Sequence, residues 1–304
     1  MKFSTAIRSL FFPAIFALAV DARAAGAATP SAAEDSFDLR QVLLRENSVT
    51  VSPGQWQVDV GLNYVHAPTT LPGDGNSAMR SGIIEDHLRL GLTDRIEAFA
   101  GLPLAYAKRS TTDTNGYHSS SAGGFGDAVL GASATLCHES DAAPGTIFTL
   151  QAGLPTGASP YDKEQTYGAS TGTGHTTVQG MLDFVRSSDP IVLFWGVGYQ
   201  YFGSASGWDG TVKPGSEILY RLGIGFAVNR DASLIAETDG AYQFESKVKG
   251  STISGSSADP VTLRLGVTLR IDRDLYLEPA TTFGMTDAAP DIMIGLTLID
   301  RGMF

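Results

Sequence analysis

Residues 83–104 read IIEDHLRLGLTDRIEAFAGLPL, and this stretch decides the fold. From Ile84 to Leu92 every second residue is aliphatic, with Asp86 as the single interruption, and the residues between them are polar or glycine. After a short turn at residues 93–94 the alternation resumes. A period of two over this length is typical of strands whose two faces meet different surroundings. Two such strands joined by a tight turn predict an antiparallel hairpin.

The same alternation recurs from residue 53 to the end of the chain, and it predicts about twelve strands. Between these strands, short turns alternate with long connections that are rich in Gly, Ser and Thr. We expect the long connections at residues 66–81, 107–124, 155–174, 203–214 and 247–259. Short turns at one end and longer loops at the other are typical of an outer-membrane barrel with periplasmic turns and external loops.

The composition agrees with a barrel and excludes other classes. The formal net charge is −11, whereas a nucleic-acid-binding protein usually carries a basic surface. The chain has 35 glycines and only 17% charged residues, a mixture that suits strands with one apolar and one polar face. Cys137 is the single cysteine, so the chain cannot form an internal disulfide.

The first part of the chain predicts export. Residues 1–27 combine two early basic residues, an apolar run of about a dozen residues and small-residue cleavage sites, which is typical of a secretory signal peptide. The alternative, a membrane anchor, needs about twenty apolar residues. Residues 28–52 are expected to form an N-terminal periplasmic segment. Within it, the pattern of residues 32–47 allows two interpretations. One is a short helix that is periplasmic or plugs the barrel, and the other is a loosely ordered leader to the first strand.

We therefore expect an all-β protein in which residues 53–304 form one antiparallel transmembrane barrel. A soluble, secreted β-sandwich is the alternative, because its strands also alternate. The barrel is favoured because the connections alternate strictly in length and because closure leaves no unpaired edge in the hydrocarbon. An even number of strands places both termini in the periplasm.

Four segments carry a family resemblance: PGQWQVDVGLNY (53–64), LRLGLTDRIEAFAGLPL (88–104), GFGDAVLGASATL (124–136) and LQAGLPTGAS (150–159). From residue 53 to the end, the chain resembles the outer-membrane barrels of the meta-pathway phenol-degradation family. The resemblance implies an outer-membrane transporter-like barrel. The family also contains the functional-amyloid secretion pore, but no counterpart of that pore's long N-terminal coiled-coil extension is visible here. Asp300 interrupts the alternation that leads to the final aromatic residue, Phe304.

Charged residues on the polar phase of the strands are the candidate lumen lining. They are Asp59, Glu85, His87, Arg89, Arg95, Glu97, Asp127, Asp183, Glu217, Arg221, Glu237, Asp239, Arg264, Arg270 and Glu278. One interpretation is a hydrated pathway in which charged residues select the solute. The other is a network of paired charges that fills and stiffens a narrow barrel. Arg89 and Glu97, which face each other across the first tight turn, are expected to pair.

The sequence gives little support for an enzyme. Outer-membrane phospholipases also use about twelve strands, but none of the five histidines lies in a Ser-rich motif like theirs. Glu85, Asp86 and His87 lack metal-ligand spacing, because Asp86 points away from its two neighbours. Cys137 has no partner for a zinc site. We expect no catalytic residues, no metal and no cofactor.

The predicted function is a passive outer-membrane channel for a small solute, and the resemblance suggests a hydrophobic or aromatic one. The alternative is a non-conducting anchor whose external loops bind a partner. In that case the important residues would be Tyr161, Asp162, Lys163, Trp208 and Asp209. The expected partners are outer-membrane lipid, the solute and the barrel-assembly machinery, which would recognise the last strand and Phe304. A homo-oligomer is also compatible with the sequence.

Overall fold

A computed structural model describes residues 50–71, 75–113, 116–161, 169–207 and 210–304. The predicted signal peptide and the predicted helix at residues 32–47 lie outside these ranges. In the described residues every regular element is a strand, and no helix there is long and apolar enough to cross a membrane.

The strands follow one another closely. The first nine are β1 (Gln55–Leu71), β2 (Gly75–Gly91), β3 (Ile96–Gly101), β4 (Leu104–Asp113), β5 (Gly116–Phe125), β6 (Ala128–Cys137), β7 (Gly145–Leu154), β8 (Thr177–Ser188) and β9 (Ile191–Phe202). The others are β10 (Ala205–Gly207), β11 (Gly210–Lys213), β12 (Glu217–Asn229), β13 (Ala232–Gln243), β14 (Lys247–Val248), β15 (Ser251–Thr252), β16 (Val261–Asp272), β17 (Leu275–Gly284) and β18 (Ile292–Met303).

Fourteen of these strands form one antiparallel sheet that closes on itself, because β1 pairs with both β2 and β18. β3 and β4 together fill one position of the wall, and β5 and β6 fill the next, so the barrel has twelve wall positions. The remaining strands form a small separate sheet in the order β10-β11-β14-β15. The prediction of a closed barrel of about twelve antiparallel strands is confirmed.

The two faces of the wall show that this is not a sandwich. Leu62, Leu150 and Leu222 lie on the outward phase and are 60%, 51% and 63% exposed. Glu97 and Asp183, on the inward phase, are only 0% and 1% exposed. Apolar residues outside and charged residues inside reverse the arrangement of a soluble protein. They suit a barrel whose outer face contacts lipid.

Two neighbouring positions of the wall are each divided between two strands. The break between β3 and β4 is at Pro103, and the break between β5 and β6 is at Asp127. The backbone N–H of Gly126 donates to the Pro103 carbonyl over 2.7 Å, so the two interruptions remain joined. Pairing between β2 and β3 ends at Gly101, and pairing between β2 and β4 begins at Leu104. The outward-facing Asp86 carboxylate accepts a hydrogen bond from the backbone of Leu102 in this gap.

The prediction of a long loop is wrong at two places, where the structure has paired strands. Residues 66–81 continue the hairpin of β1 and β2 as far as a pair between Leu71 and Gly75. Residues 107–124 likewise form the hairpin of β4 and β5. Both hairpins extend beyond the apolar part of the wall. Where both faces of a strand meet water, the apolar alternation that marks a strand is absent. Because Ser and Thr then occupy these strands, the sequence pattern predicts a loop.

Candidate functional site

Five charged residues of alternating sign lie across one side of the barrel interior, and we call them the charge ladder. In spatial order they are Asp183, Arg221, Glu237, Arg264 and Glu278. The Arg221 Nε lies 3.4 Å from Asp183 Oδ1, and its Nη1 lies 4.0 Å from Glu237 Oε1. The Arg264 Nη1 lies 3.4 Å from Glu237 Oε2, and its Nη2 donates to Glu278 Oε1. Each arginine therefore joins two acids on different strands.

The ladder is nearly closed to solvent. Asp183, Glu237 and Glu278 are 1%, 4% and 2% exposed. Taking charges out of water costs several kcal/mol per ion, and the pairing has to offset that cost. Thr268 donates a further hydrogen bond of 3.1 Å to Glu278, which satisfies another carboxylate lone pair. Removing one member would leave a buried charge without compensation.

A second ionic cluster lies where β1, β2 and β3 meet. The Arg89 guanidinium donates to both Glu97 oxygens at 2.9–3.2 Å, as the sequence predicted for this pair. The backbone N–H of Val51 donates to Glu97 Oε2 over 2.7 Å and ties the entry to the first strand to this pair. Nearby, the Gln57 amide donates to both oxygens of Asp59 at 2.9 and 3.1 Å.

Beside this cluster lies a cavity of about 200 Å³. Asp59, Glu85, His87 and Arg89 give it charged or titratable walls, and Gln151 and other residues complete the lining. His87 is exposed, although its neighbours Asp59 and Arg89 are buried. This part of the interior is therefore open enough for water to reach.

Large apolar side chains fill the interior near the short turns. Phe194 and Ile299 are completely buried, and Ile235 and Tyr276 are 5% and 4% exposed. Tyr276 and Ile299 form a buried hydrophobic cluster. The Phe194 ring covers Gly223 of the neighbouring strand, where a Cβ would lie 2.0 Å from Cζ. We call these four side chains the apolar floor.

Of the other candidate residues, Asp239 adjoins the charge ladder and the rest lie elsewhere. Arg95 is exposed in the turn between β2 and β3. Glu217 begins β12 near the long loops, and Asp239 lies in register with Arg221. The Arg270 guanidinium lies 6.0 Å from the Tyr276 ring centroid, near the short turns.

Asp127 holds an external loop instead of lining an open path. Its carboxylate accepts from the backbone N–H of Gly157 at 3.0 Å and from that of Thr173 at 2.7 Å. The Thr173 hydroxyl donates to the same carboxylate over 2.6 Å. The two ends of the loop between β7 and β8 are thus fastened at the interruption of β5 and β6.

Of the residues named for a partner-binding loop, Tyr161 lies in this same loop, and burial raises its pKa. Asp162, Lys163, Trp208 and Asp209 lie outside the described residues. Within the described ranges, no group of three or more His, Cys, Asp or Glu side chains is arranged to hold a metal ion.

The candidate lumen lining contains only charged residues, whereas neutral polar residues on the inward phase also line the interior. Gln57 and Thr297 are each 2% exposed, and Ser133 is 1% exposed and accepts a 3.0 Å hydrogen bond from Thr149. The period of two places Gln57 and Thr297 on the inward phase. The interruption at Asp300 does not end the last strand, which continues to Met303 and pairs with β1 throughout.

Known structures share this architecture. The outer-membrane channel COG4313 from Pseudomonas putida F1 superposes with a TM-score of 0.69 at 14% identity, and the match covers 84% of this chain and 98% of that one. The translocator domain of the autotransporter NalP from Neisseria meningitidis gives a TM-score of 0.53 at 12% identity, over 85% of this chain and 91% of that domain. These likenesses establish the fold of an outer-membrane barrel.

A comparison of the sequence with models of protein families also supports the barrel. A family profile described as "Putative MetA-pathway of phenol degradation" matches residues 44–299, which is most of the chain and includes every strand of the barrel up to the last few residues of β18. With its apolar outer face and charged interior, this is an outer-membrane β-barrel, and the chain belongs to the phenol-degradation MetA-pathway family.

Proposed function

We propose that the protein is an outer-membrane channel for the passive passage of a small solute. The observation that carries the proposal is the combination of a lipid-compatible outer wall with a polar interior that contains open space beside His87. The similar structure from P. putida is itself an outer-membrane channel, which supports the proposal.

For the solute we propose a small neutral compound, with aromatic or other apolar molecules as the expected class. The family description names a phenol-degradation pathway. Conduction requires binding that is weak enough for the solute to leave again. The ladder charges are already paired with one another, so they offer a neutral solute no strong ligand. The proposed lumen lining is therefore a polar wall that a neutral molecule can pass.

The decisive experiment is single-channel recording of the refolded mature protein in a planar bilayer, combined with swelling of liposomes in small neutral aromatic solutes. Discrete current steps or solute-dependent swelling would support the channel. A silent bilayer and inert liposomes, with heat-modifiable gel migration proving that the barrel had folded, would contradict it. A chain that stayed soluble without detergent would contradict the membrane assignment as well.

We further propose that either the external loops or the segment at residues 32–47 gates the passage. Deleting residues 28–47 should then raise conductance without changing the heat-modifiable migration of the barrel. Equal conductance of the deletion variant and the mature protein would show that the segment does not gate.

A non-conducting anchor is the second candidate, and the apolar floor is the observation that favours it. Phe194, Ile235, Tyr276 and Ile299 occupy the interior where a solute would have to leave. If they block passage permanently, the external loops would carry the function by binding a partner. Replacing Phe194 with Ala should then open a current in a barrel that is otherwise silent.

Two further partners of the barrel are the assembly machinery and a second copy of the chain, and both are proposals. We propose that the last strand and Phe304 are recognised by the barrel-assembly machinery, and truncating the chain before Phe304 should slow assembly in vivo. Homo-oligomerisation is testable by measuring the mass of the detergent complex. We expect no catalytic activity from the barrel, since the similar structures described above are a channel and a translocator.

A further inference from the structure

Three basic residues form a row across neighbouring strands on the outer face of the barrel. His66 of β1 is in register with Arg80 of β2, and Arg80 is in register with Lys108 of β4. Residues directly opposite in an antiparallel pair project from the same face. Tyr64 and Tyr106, two positions along on the same phase, are 45% and 56% exposed, which identifies this face as the outer one. We call His66, Arg80 and Lys108 the basic row.

The row carries positive charge that no described neighbour in the wall neutralises. Like charges directly opposite each other on neighbouring strands are destabilising. In the part of the chain that the structure describes, no carboxylate forms an ion pair with Arg80 or Lys108. The next outward rows on either side contain no acid. They are Pro68, Ala78 and Ser110 on one side, and Tyr64, Gly82 and Tyr106 on the other.

Two groups near the row support an anion site: the hydroxyl of Tyr117 and the imidazole of His66. Hydrogen bonds with Ser110 and Ser119, together with the positive charges of Lys108 and Arg80, hold the pKa of Tyr117 below its usual range. The Nδ1 of His66 is covered and has no hydrogen-bond partner among the described residues. An anion at the row would balance the charge and offer this nitrogen a hydrogen-bond acceptor.

The height of the row identifies the source of such an anion. His66 lies about ten residues along β1 from Trp56, and a strand that rises about 3.3 Å per residue at a tilt of about 40° climbs roughly 25 Å over that length. That height equals the apolar band of an outer-membrane barrel. The rings of Tyr64 and Tyr106 lie immediately toward the membrane centre, as in an aromatic girdle. The basic row is therefore level with the lipid headgroups of the outer leaflet.

We propose that His66, Arg80 and Lys108 bind a phosphate group on the headgroup of an outer-leaflet lipid. The guanidinium of Arg80 offers a planar pair of donors that matches two phosphate oxygens, and Lys108 adds a point charge beside it. The tyrosine rings and Leu62 and Leu104, which are 60% and 45% exposed, continue downward from the row and provide a surface for the acyl chains of the same lipid. This inference depends on the barrel lying in the outer membrane and is independent of whether it conducts.

The test is native mass spectrometry of the refolded mature protein in detergent, titrated with lipid A or with enzymatically dephosphorylated lipid A. We expect the phosphorylated lipid to bind at least about tenfold more tightly than the dephosphorylated one. The double variant R80Q/K108Q should lose that preference. The matched control is R230Q/R273Q, which removes two exposed arginines from short turns at the opposite end and should bind like the unmodified protein.

Several outcomes would overturn the proposal. They are equal binding of the two lipids, unchanged binding by R80Q/K108Q, or an equal loss in R230Q/R273Q. Displacement of lipid A by millimolar inorganic phosphate would show that the row binds free phosphate instead. If R80Q/K108Q fails to give the folded, heat-modifiable band, R80K replaces it. That variant keeps the charge and loses the planar pair of donors, so it should bind lipid A several-fold more weakly, and unchanged binding would contradict the proposal.

Discussion

The Arg221 guanidinium reaches the Asp183 carboxylate across an entire strand. Nε and Oδ1 are 3.4 Å apart, although β9 separates β12 from β8 in the wall. Gly196 is the residue of β9 that lies in register with both. A Cβ at Gly196 would lie 2.3 Å from Asp183 Oδ1. The ion pair therefore depends on a position without a side chain between its two members.

The first prediction follows from this contact. Replacing Gly196 with Ala should displace the Asp183 carboxylate and lower the free energy of unfolding by about 1–3 kcal/mol, as expected for overpacking. Urea unfolding of the protein in lipid vesicles measures this. Gly82→Ala is the matched control, because a Cβ there has open space around it on the outer face. Equal stability of the two variants would show that the pair does not need Gly196.

The strands and their phase could be predicted from the sequence because lipid and the barrel interior impose opposite preferences on alternate residues. Leu62 and Asp59 illustrate this, since they lie on opposite phases of one strand and on opposite sides of the wall. The same reasoning fails near Tyr117, where β5 extends beyond the apolar part of the wall and consists mainly of small and polar residues. There the sequence loses its alternation although the backbone pairing continues.

The pairing of the interior charges could be predicted only where it is local. Arg89 and Glu97 face each other across one tight turn, and the sequence places them together. Arg221 meets Asp183 through the register of three strands, and no local pattern contains that register. Arg95 was placed inside by its phase, but the turn between β2 and β3 includes it and leaves it exposed.

A second prediction concerns the loop that Asp127 fastens. Asp127→Ala removes three hydrogen bonds to a carboxylate, from the backbone of Gly157 and from the backbone and hydroxyl of Thr173. We expect opening of the loop to become easier by about 2 kcal/mol, which is a roughly thirtyfold faster amide exchange at Gly157 and Thr173. Hydrogen–deuterium exchange with peptide resolution measures it.

Asp231→Ala provides the control for the loop experiment, because Asp231 lies in an exposed turn far from the loop in sequence. It should leave exchange in residues 155–174 unchanged. If Asp127→Ala also leaves that exchange unchanged, the carboxylate does not hold the loop.

A third prediction explains the acid on the lipid-facing phase of β2. Asp86 accepts a hydrogen bond from the backbone of Leu102, which has lost its place in the strand pairing beside Pro103. Asp86→Leu should leave that N–H without a partner and cost about 1–3 kcal/mol in the free energy of unfolding. Asp86→Asn keeps an acceptor, so its stability should stay close to that of the unmodified protein. A leucine variant as stable as the asparagine variant would exclude this role.

The fourth prediction separates a conducting ladder from a purely structural one. If ions pass beside the charge ladder, Arg264→Gln removes positive charge and should make the channel more cation-selective. Glu237→Gln removes negative charge and should shift the reversal potential the opposite way, with permeability ratios changing by about twofold in each case. Reversal potentials under a salt gradient measure both, and Arg230→Gln, in an exposed short turn, is the control. Opposite shifts require that the ladder faces the permeating ions. Unchanged selectivity in folded, conducting variants would mean that the ladder only stiffens the wall and that the ions take another path through the barrel.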